Sequence, residues 1–183
     1  GSLLGESQSG HLEQVGYDTY CKLLDEVVKE MKGIKVTEEA DVQVDLNVTC
    51  YIPDNYIEDS GQKIEVYQKI ALCRTEEDIQ NVIDEVIDRY GNMPKELENL
   101  LEVARIKQLA KEQNIVKVES KQNGVVFTFD SSENIKYDIA ELVRKYGNKI
   151  KFSAGIKPMI TYKTDNVKEQ ELLKQIKEFL EIN

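Results

Sequence analysis

Tryptophan is absent from this 183-residue sequence, and histidine occurs once, as His11. The three cysteines, Cys21, Cys50 and Cys73, lie far apart and form no Cys-x-x-Cys pair. Zinc sites and disulfide frameworks need grouped or paired ligands, so neither is expected here. Three separate thiols are typical of small buried side chains in a protein of the reducing cytoplasm. A histidine-dependent catalytic triad could use only His11, which lies in a predicted loop.

The sequence also has none of the short motifs that bind nucleotides or hold a nucleophile. It contains no Gly-x-x-x-x-Gly-Lys-Ser/Thr phosphate loop, no Gly-x-Gly-x-x-Gly and no Gly-x-Ser-x-Gly. We therefore predict no catalytic, cofactor-binding or metal-binding residues in this chain. No apolar run approaches the roughly 20 residues of a membrane span, and no secretory signal opens the chain, so we expect a cytoplasmic protein without a membrane partner. The opening Gly1-Ser2 resembles a tag remnant, which predicts that the natural chain extends upstream.

The formal net charge of −10 opposes free nucleic-acid binding, because that function uses a basic surface to release counterions from phosphates. It favours docking to a basic protein surface. A nucleic-acid-binding accessory module stays open as the alternative, since a local basic patch could survive the overall charge. Phe127 and Phe129, beside Lys117 and Lys121, could form a stacking platform on an exposed sheet. The same alternation also predicts core packing under a helix, which we favour.

Hydrophobic periodicity predicts that residues 38–114 form a mainly helical part. Residues 42–50 alternate between apolar and polar side chains, which predicts a half-buried strand at its start. Apolar residues then recur at steps of three and four in three predicted helices, over 61–73, 75–91 and 94–114. Thr75, followed by three acidic residues, is a typical N-cap for the second helix.

From residue 115 onward the period changes from 3.6 to 2. Two alternating runs flank Asn123-Gly124, which predicts a β-hairpin. A helix is expected over 134–147, then two strands, the last at a sheet edge or bulge because of Pro158, and then a final helix. The sequence therefore predicts an α+β fold, in which a β-β-α-β-β-α half over 115–183 carries a small, mostly antiparallel sheet.

The helix predicted over 75–91 has an acidic polar side. Asp84, Glu85 and Asp88 are spaced by one, three and four residues, which places them together on that side. One interpretation assigns no binding role: the three carboxylates form a solvated face with an internal ion pair such as Glu85 to Arg89. The functional interpretation is an acidic docking face for Arg or Lys of a partner, where bidentate contacts would give geometric selectivity.

Several linked motifs follow one another along the chain. They are Leu46, Tyr51-Ile52-Pro53, Tyr56-Ile57, Tyr67-Gln68-Lys69-Ile70-Ala71, Glu85-Val86-Ile87-Asp88-Arg89-Tyr90-Gly91, Pro94, Asn99-Leu100-Leu101 and Ala104-Arg105-Ile106-Lys107. Together they resemble the C-terminal domain of bacterial transcription-repair coupling factors. The likeness spans nearly the whole chain and is weakest after residue 115, where it rests on order and spacing.

Earlier motifs resemble the tail of the translocation module in the same family, a region shared in part with the RecG helicase. These motifs are Leu3-Leu4-Gly5, Gln8-Ser9-Gly10-His11, Val15-Gly16-Tyr17-Asp18 and Tyr20. The likeness implies that residues 1–37 are a tag remnant and the loop and helix of that tail, with Gln8 and Gly10 in the translocation-motif loop. It also implies that the regulatory domain occupies 38–183.

The resemblance implies a parent protein that translocates on duplex DNA with ATP, displaces stalled RNA polymerase and recruits the UvrA excision-repair protein. The sites for ATP, Mg²⁺ and duplex DNA would lie in a motor outside this chain, so the chain itself is not expected to be an enzyme. The domain is expected to mask the UvrA-binding surface of an N-terminal UvrB-like module and to restrain the motor. We expect Glu85 and Asp88, with Asp84 and Arg89 beside them, to dock onto that module.

Overall fold

The structure, a computed structural model, describes residues 42–182, which divide into two compact units. The first unit comprises Val48–Arg105, and the second comprises 42–47 together with 106–182. The helices are α1 (Ser60–Ala71), α2 (Glu76–Tyr90), α3 (Lys95–Glu112), α4 (Ile139–Tyr146) and α5 (Glu169–Leu180). The strands are β1 (Gln43–Asp45), β2 (Ile115–Lys121), β3 (Gly124–Phe129), β4 (Ile150–Ser153) and β5 (Met159–Lys163). The predictions for residues 1–37 lie outside the described residues.

In the first unit, α1 and α2 begin at residues whose side chains satisfy free backbone amides. The Asp59 carboxylate accepts a hydrogen bond from the amide of Gln62 at 2.9 Å. The Thr75 hydroxyl accepts one from the amide of Asp78 at 3.1 Å, as the sequence predicted for this N-cap. Pro94 immediately precedes α3, where its missing N–H costs nothing.

Apolar side chains spaced by three and four residues form the core of this unit. The amide of Ile52 donates to the buried Tyr67 hydroxyl at 2.6 Å, which ties the loop before α1 to that helix. Full burial of a Val, Leu or Ile side chain stabilises by about 1.5–3 kcal/mol, so this core holds the helices in place. The buried residues are Ile52, Ile57, Val66, Tyr67, Ile70, Cys73, Ile79, Val82, Val86, Leu97, Leu100, Leu101, Val103 and Ala104.

The second unit is a five-stranded mixed sheet in the order β1-β2-β3-β5-β4. Strand β1 pairs in parallel with β2, and the other three pairings are antiparallel. After α3 the elements run β2-β3-α4-β4-β5-α5. This order confirms the predicted α+β fold with its small, mostly antiparallel sheet.

Helix α5 covers one face of the sheet through a cluster of aromatic rings. Phe179 stacks on Phe127 with ring centroids 4.5 Å apart, and it contacts Tyr162 at 5.3 Å and Tyr137 at 5.5 Å. Aromatic pairs at these separations gain stability beyond their buried area. Phe127 and Phe129 are fully buried, so this strand face packs under a helix and is not an exposed platform for bases.

The strand predicted over 42–50 is shorter than expected. It ends at Asp45, although Val42, Val44 and Leu46 are all buried as the alternation predicted. Beyond it, the carbonyl of Thr49 accepts a hydrogen bond from the Asn99 side chain at 3.0 Å, so the backbone there bonds to α3 instead of a strand. The strand itself pairs with β2, which places it in the sheet and not with the helices that follow it in sequence.

The position of β5 in the sheet differs from the sequence-based expectation. Strand β5 lies between β3 and β4, and its pairing with both strands shows no register shift, so the prediction of a sheet edge or a bulge at this strand was wrong. Pro158 sits just before its first residue and accepts a hydrogen bond from the amide of Phe129 at 2.8 Å through its carbonyl. A proline at this position removes no donor from the ladder.

The helix expected over 134–147 begins only at Ile139. The Asp138 carboxylate accepts from the amides of Ala140 and Glu141 at 3.0 and 3.4 Å, which fixes the helix start there. Just before it, the buried Tyr137 hydroxyl donates to the carbonyl of Leu180 at 3.2 Å. This tertiary contact holds the preceding residues out of the helix.

The β2–β3 hairpin carries a bulge and a close backbone contact. The register shifts between Ile115 and Lys117, so Ile115 and Val118 both face the core although they are three residues apart. The turn itself is Gln122-Asn123, one residue earlier than predicted. Gly124 lies beside β5, where a Cβ atom would sit 2.4 Å from the carbonyl oxygen of Tyr162.

Replacing Gly124 with alanine should lower the free energy of unfolding by about 1–3 kcal/mol, because backbone must shift to admit the methyl group. Gly155→Ala is the matched control, since a Cβ there meets no atom within 4 Å. Urea unfolding of both variants measures the difference. Equal stability of the two variants would contradict the register of β3 against β5.

Candidate docking site

The candidate site lies on α2, whose start is fixed by a reciprocal cap. The Thr75 hydroxyl accepts from the amide of Asp78, while the Asp78 carboxylate accepts from the amides of Thr75 and Arg74 at 3.1 and 2.8 Å. These bonds, the one from Arg74 above all, hold the pKa of Asp78 below its usual value. The same carboxylate also complements the positive end of the helix dipole.

Helix α2 buries Ile79, Val82 and Val86 against its unit. The residues opposite this face lie at intervals of three and four and form an outward stripe, which we call the acidic stripe. Its members are Glu77, Asn81, Asp84 and Asp88, all of them exposed. The sequence identified Asp84 and Asp88 but missed Glu77 and Asn81. These two are recognised as part of the stripe only once the buried face of the helix, opposite to it, is known.

Glu85 lies at the margin between the stripe and the buried face. Its carboxylate binds the Lys69 ammonium of α1 at 2.5 Å, and Arg89 lies 3.7 Å away. The hydrogen bond that Lys69 donates to Glu85 is the main reason that the pKa of Lys69 is raised. The internal pair considered from sequence, Glu85 with Arg89, is therefore present, but Lys69 is the closer partner and was missed.

The other predicted docking residues have different surroundings. The Asp84 carboxylate accepts from the Gln80 side chain at 3.0 Å. The Arg89 guanidinium lies over the Tyr90 ring, 5.2 Å from its centroid, which fits a cation–π contact. Asp88 makes no ion pair or hydrogen bond within residues 42–182, so no cation of that span holds its carboxylate, and the same is true of Glu77 at the other end of the stripe.

A shallow groove between α1 and α2 adjoins the acidic stripe and has a volume of about 300 Å³. Lys69, Glu85 and Asp78 supply its charged lining, and Leu72, Cys73, Asn81 and Val82 supply the rest. Burial raises the pKa of the Cys73 thiol to about 11, and its sulfur lies 3.2 Å from the Lys69 carbonyl. The thiol therefore stays protonated at neutral pH and is a packing residue, as expected from the sequence.

Other expectations about sites fall partly outside the structure. Gln8 and Gly10, the predicted translocation-motif loop, lie outside the described residues. Within 42–182, no three His, Cys, Asp or Glu side chains are grouped so as to hold a metal ion. No helix in that same span has both the length and the apolar character needed to cross a bilayer.

Comparison with known proteins gives the site a family context. A family model, the TRCF domain, matches residues 46–140. The chain is 35% identical over 154 residues to the transcription-repair-coupling factor of Bacillus subtilis and 34% identical over 159 residues to that of Rickettsia typhi. These alignments cover 82% and 86% of this chain, but only 13% and 14% of the two relatives.

A solved structure agrees with the fold. It is the crystal structure of the C-terminal domain of a transcription-repair coupling factor, and it matches with a TM-score of 0.64. The match covers 76% of this chain and 91% of that one at 24% sequence identity. At this identity the comparison supports the architecture and not the function of individual residues.

The cap of α2 gives a testable dependence of stability on pH. The folded-state pKa of Asp78 is lowered, so its charged form stabilises the fold above its ordinary pKa of 3.8, and this contribution is lost as the pH falls through the folded value. Wild type should therefore be more stable than Asp78→Asn at pH 6, with the difference shrinking toward pH 3. Chemical denaturation across this range measures it.

Glu77→Gln serves as the control, because it removes a charge from the same helical turn without breaking the cap. Its stability difference from wild type should be smaller than that of Asp78→Asn at every pH. If the two variants behave alike, a general dipole effect and not the cap explains the stabilisation.

Proposed function

The chain belongs to the TRCF domain family, and we propose that it is the C-terminal regulatory domain of a transcription-repair coupling factor that docks onto the factor's own UvrB-like module. In this role it masks the UvrA-binding surface of that module and restrains the upstream motor. The motor would supply ATP and Mg²⁺ binding and duplex-DNA translocation, and it would contact stalled RNA polymerase. The observation that carries the proposal is the exposed acidic stripe on α2, where no cation of residues 42–182 pairs with Asp88.

The chemistry of the stripe supports a basic partner surface. Asp84 and Asp88 lie one helical turn apart, so they can accept from one guanidinium or from two neighbouring cations. Asp88 needs no rearrangement, because no cation of the described residues holds it. Glu85 differs, since a partner arginine would compete with Lys69 at 2.5 Å for the same carboxylate.

Exposed charge pairs suit a clamp that must open. Each is worth about 0.2–1 kcal/mol, so a few of them hold two modules together without making release slow. Such contacts also weaken as salt rises, because the charges are accessible to counterions. Release would then be a population shift between docked and undocked arrangements, driven by whatever binds the undocked state better.

The charge-reversing variant Asp88→Arg should weaken binding between this chain and the separately made UvrB-like module by about tenfold, because it loses one attraction and adds a repulsion. Glu133→Arg with Glu181→Arg is a control on exposed residues of the other unit and should leave the affinity unchanged. In the full protein, Glu85→Arg with Asp88→Arg should raise UvrA binding and basal ATPase activity. Unchanged UvrA affinity in that double variant would refute the masking role.

Lys69→Met tests the role of Glu85, and here the expected change is tighter binding instead of weaker binding. If Glu85 docks to a partner cation, removing its internal competitor should tighten binding by about two- to fivefold. Isothermal calorimetry at low salt measures the change, and circular dichroism checks that α1 and α2 stay folded. Weaker binding in Lys69→Met would mean that Lys69 itself faces the partner, and Glu85 would then be a structural residue.

A further inference from the structure

The charges of the second unit are distributed unevenly. Residues 142–164 contain six basic residues and no acidic one, in a chain whose net charge is −10. Arg144 pairs with Glu141, and Lys163 lies 4.0 Å from Asp165. Lys145 lies over the ring of Tyr146, with its Nζ 5.6 Å from the ring centroid. Lys149, Lys151 and Lys157 contact neither an acidic group nor an aromatic ring of the described residues, so three of the six cations are free of such contacts.

These three lysines follow the length of β4. Lys149 precedes the first residue of the strand, Lys151 lies within it, and Lys157 lies in the loop after its end. Strand β4 is the last in the sheet order, so one of its edges carries backbone groups that no strand of the sheet bonds. The cations therefore lie before, within and after a strand whose outer edge no other strand of the sheet bonds.

Apolar side chains are exposed at the same place. Ile156, at the tip of the β4–β5 loop, is 93% exposed, and Phe152 of β4 is 41% exposed. Phe152 pairs in register with Ile160 on the face that α5 covers, whereas its neighbour Lys151 points to the opposite face. Both faces of the sheet at this edge therefore offer side chains to a ligand that runs along it.

We propose that the outer edge of β4 is a strand-addition site for an extended acidic segment of a partner protein, one that alternates carboxylates with apolar side chains. Backbone hydrogen bonds to the free edge would supply affinity, and the lysines and the apolar residues would select the sequence. A partner that alternates in this way places its carboxylates on one face and its apolar side chains on the other.

Other occupants fit these observations less well. A second copy pairing through β4 would bring the lysines of both copies together, which is repulsive. A nucleic-acid backbone would use the lysines but gain nothing from Ile156 and little from a strand edge. Lysine on an edge strand also guards against aggregation, but that role does not explain exposed Phe152 and Ile156 beside it.

The test uses a fluorescein-labelled nine-residue peptide alternating Glu with Val, titrated with this chain at low salt. Fluorescence anisotropy should show binding that is lost when the Glu residues are replaced by Lys. It should also be lost when two adjacent central residues of the peptide are N-methylated, because this blocks hydrogen bonding on both strand edges. Undiminished binding of the methylated peptide would overturn strand addition.

Lys151→Glu with Lys157→Glu should weaken binding of the acidic peptide about tenfold, through lost attraction and new repulsion. Lys95→Glu with Lys174→Glu makes the same charge change on exposed residues of α3 and α5 and should leave binding unchanged. Amide chemical shifts that move on peptide addition should fall in β4 and the β4–β5 loop. Shifts elsewhere, tighter binding of a 20-base-pair duplex, or dimerisation of the chain in place of peptide binding would each overturn the proposal.

Discussion

Helix α2 buries a narrow face against α1, and the geometry of the candidate docking site depends on that constraint. With Ile79, Val82 and Val86 turned inward, a period of 3.6 residues leaves no freedom in where the remaining side chains point. Asp84 and Asp88 must lie on the far side of the helix, in water. Glu85 must lie at the margin, where Lys69 of α1 reaches it. The packing of α2 therefore places Asp84 and Asp88 in water and Glu85 beside Lys69, with which it is paired.

The sequence predicted the local structure well where local chemistry decides it. The start of α2 follows from the Thr75 and Asp78 cap, and the start of α3 follows from Pro94. The sequence-based prediction failed where a contact between residues far apart in the sequence sets the end or the start of an element. Strand β1 stops early because Asn99, about 50 residues later, bonds the backbone beyond it, and α4 starts late because Tyr137 is bonded to Leu180. A single sequence does not record such long-range contacts.

In the candidate site, too, local spacing was predictable from the sequence and contacts between distant residues were not. Spacing alone placed Asp84, Glu85 and Asp88 together, since neighbours on a helix are fixed by its period. It could not identify Lys69 as the partner of Glu85, because the two lie 16 residues apart on different helices. Ile87 is an apolar neighbour of the buried Val86 in sequence, yet it is 42% exposed. It lies 100° around the helix from Val86, beyond the narrow face that α1 covers.

The acidic stripe and the lysines near β4 lie in separate units of this chain, and this separation has a functional consequence. The acidic stripe on α2 belongs to the first unit, whereas the lysines along β4 belong to the second. A partner attracted to one surface is repelled by the other, so the two surfaces cannot compete for the same ligand. Because salt screens both equally, ionic strength alone would not select between them. If both proposals hold, selection comes from shape, since one surface is a helix face for a folded basic module and the other is a strand edge for an extended acidic segment.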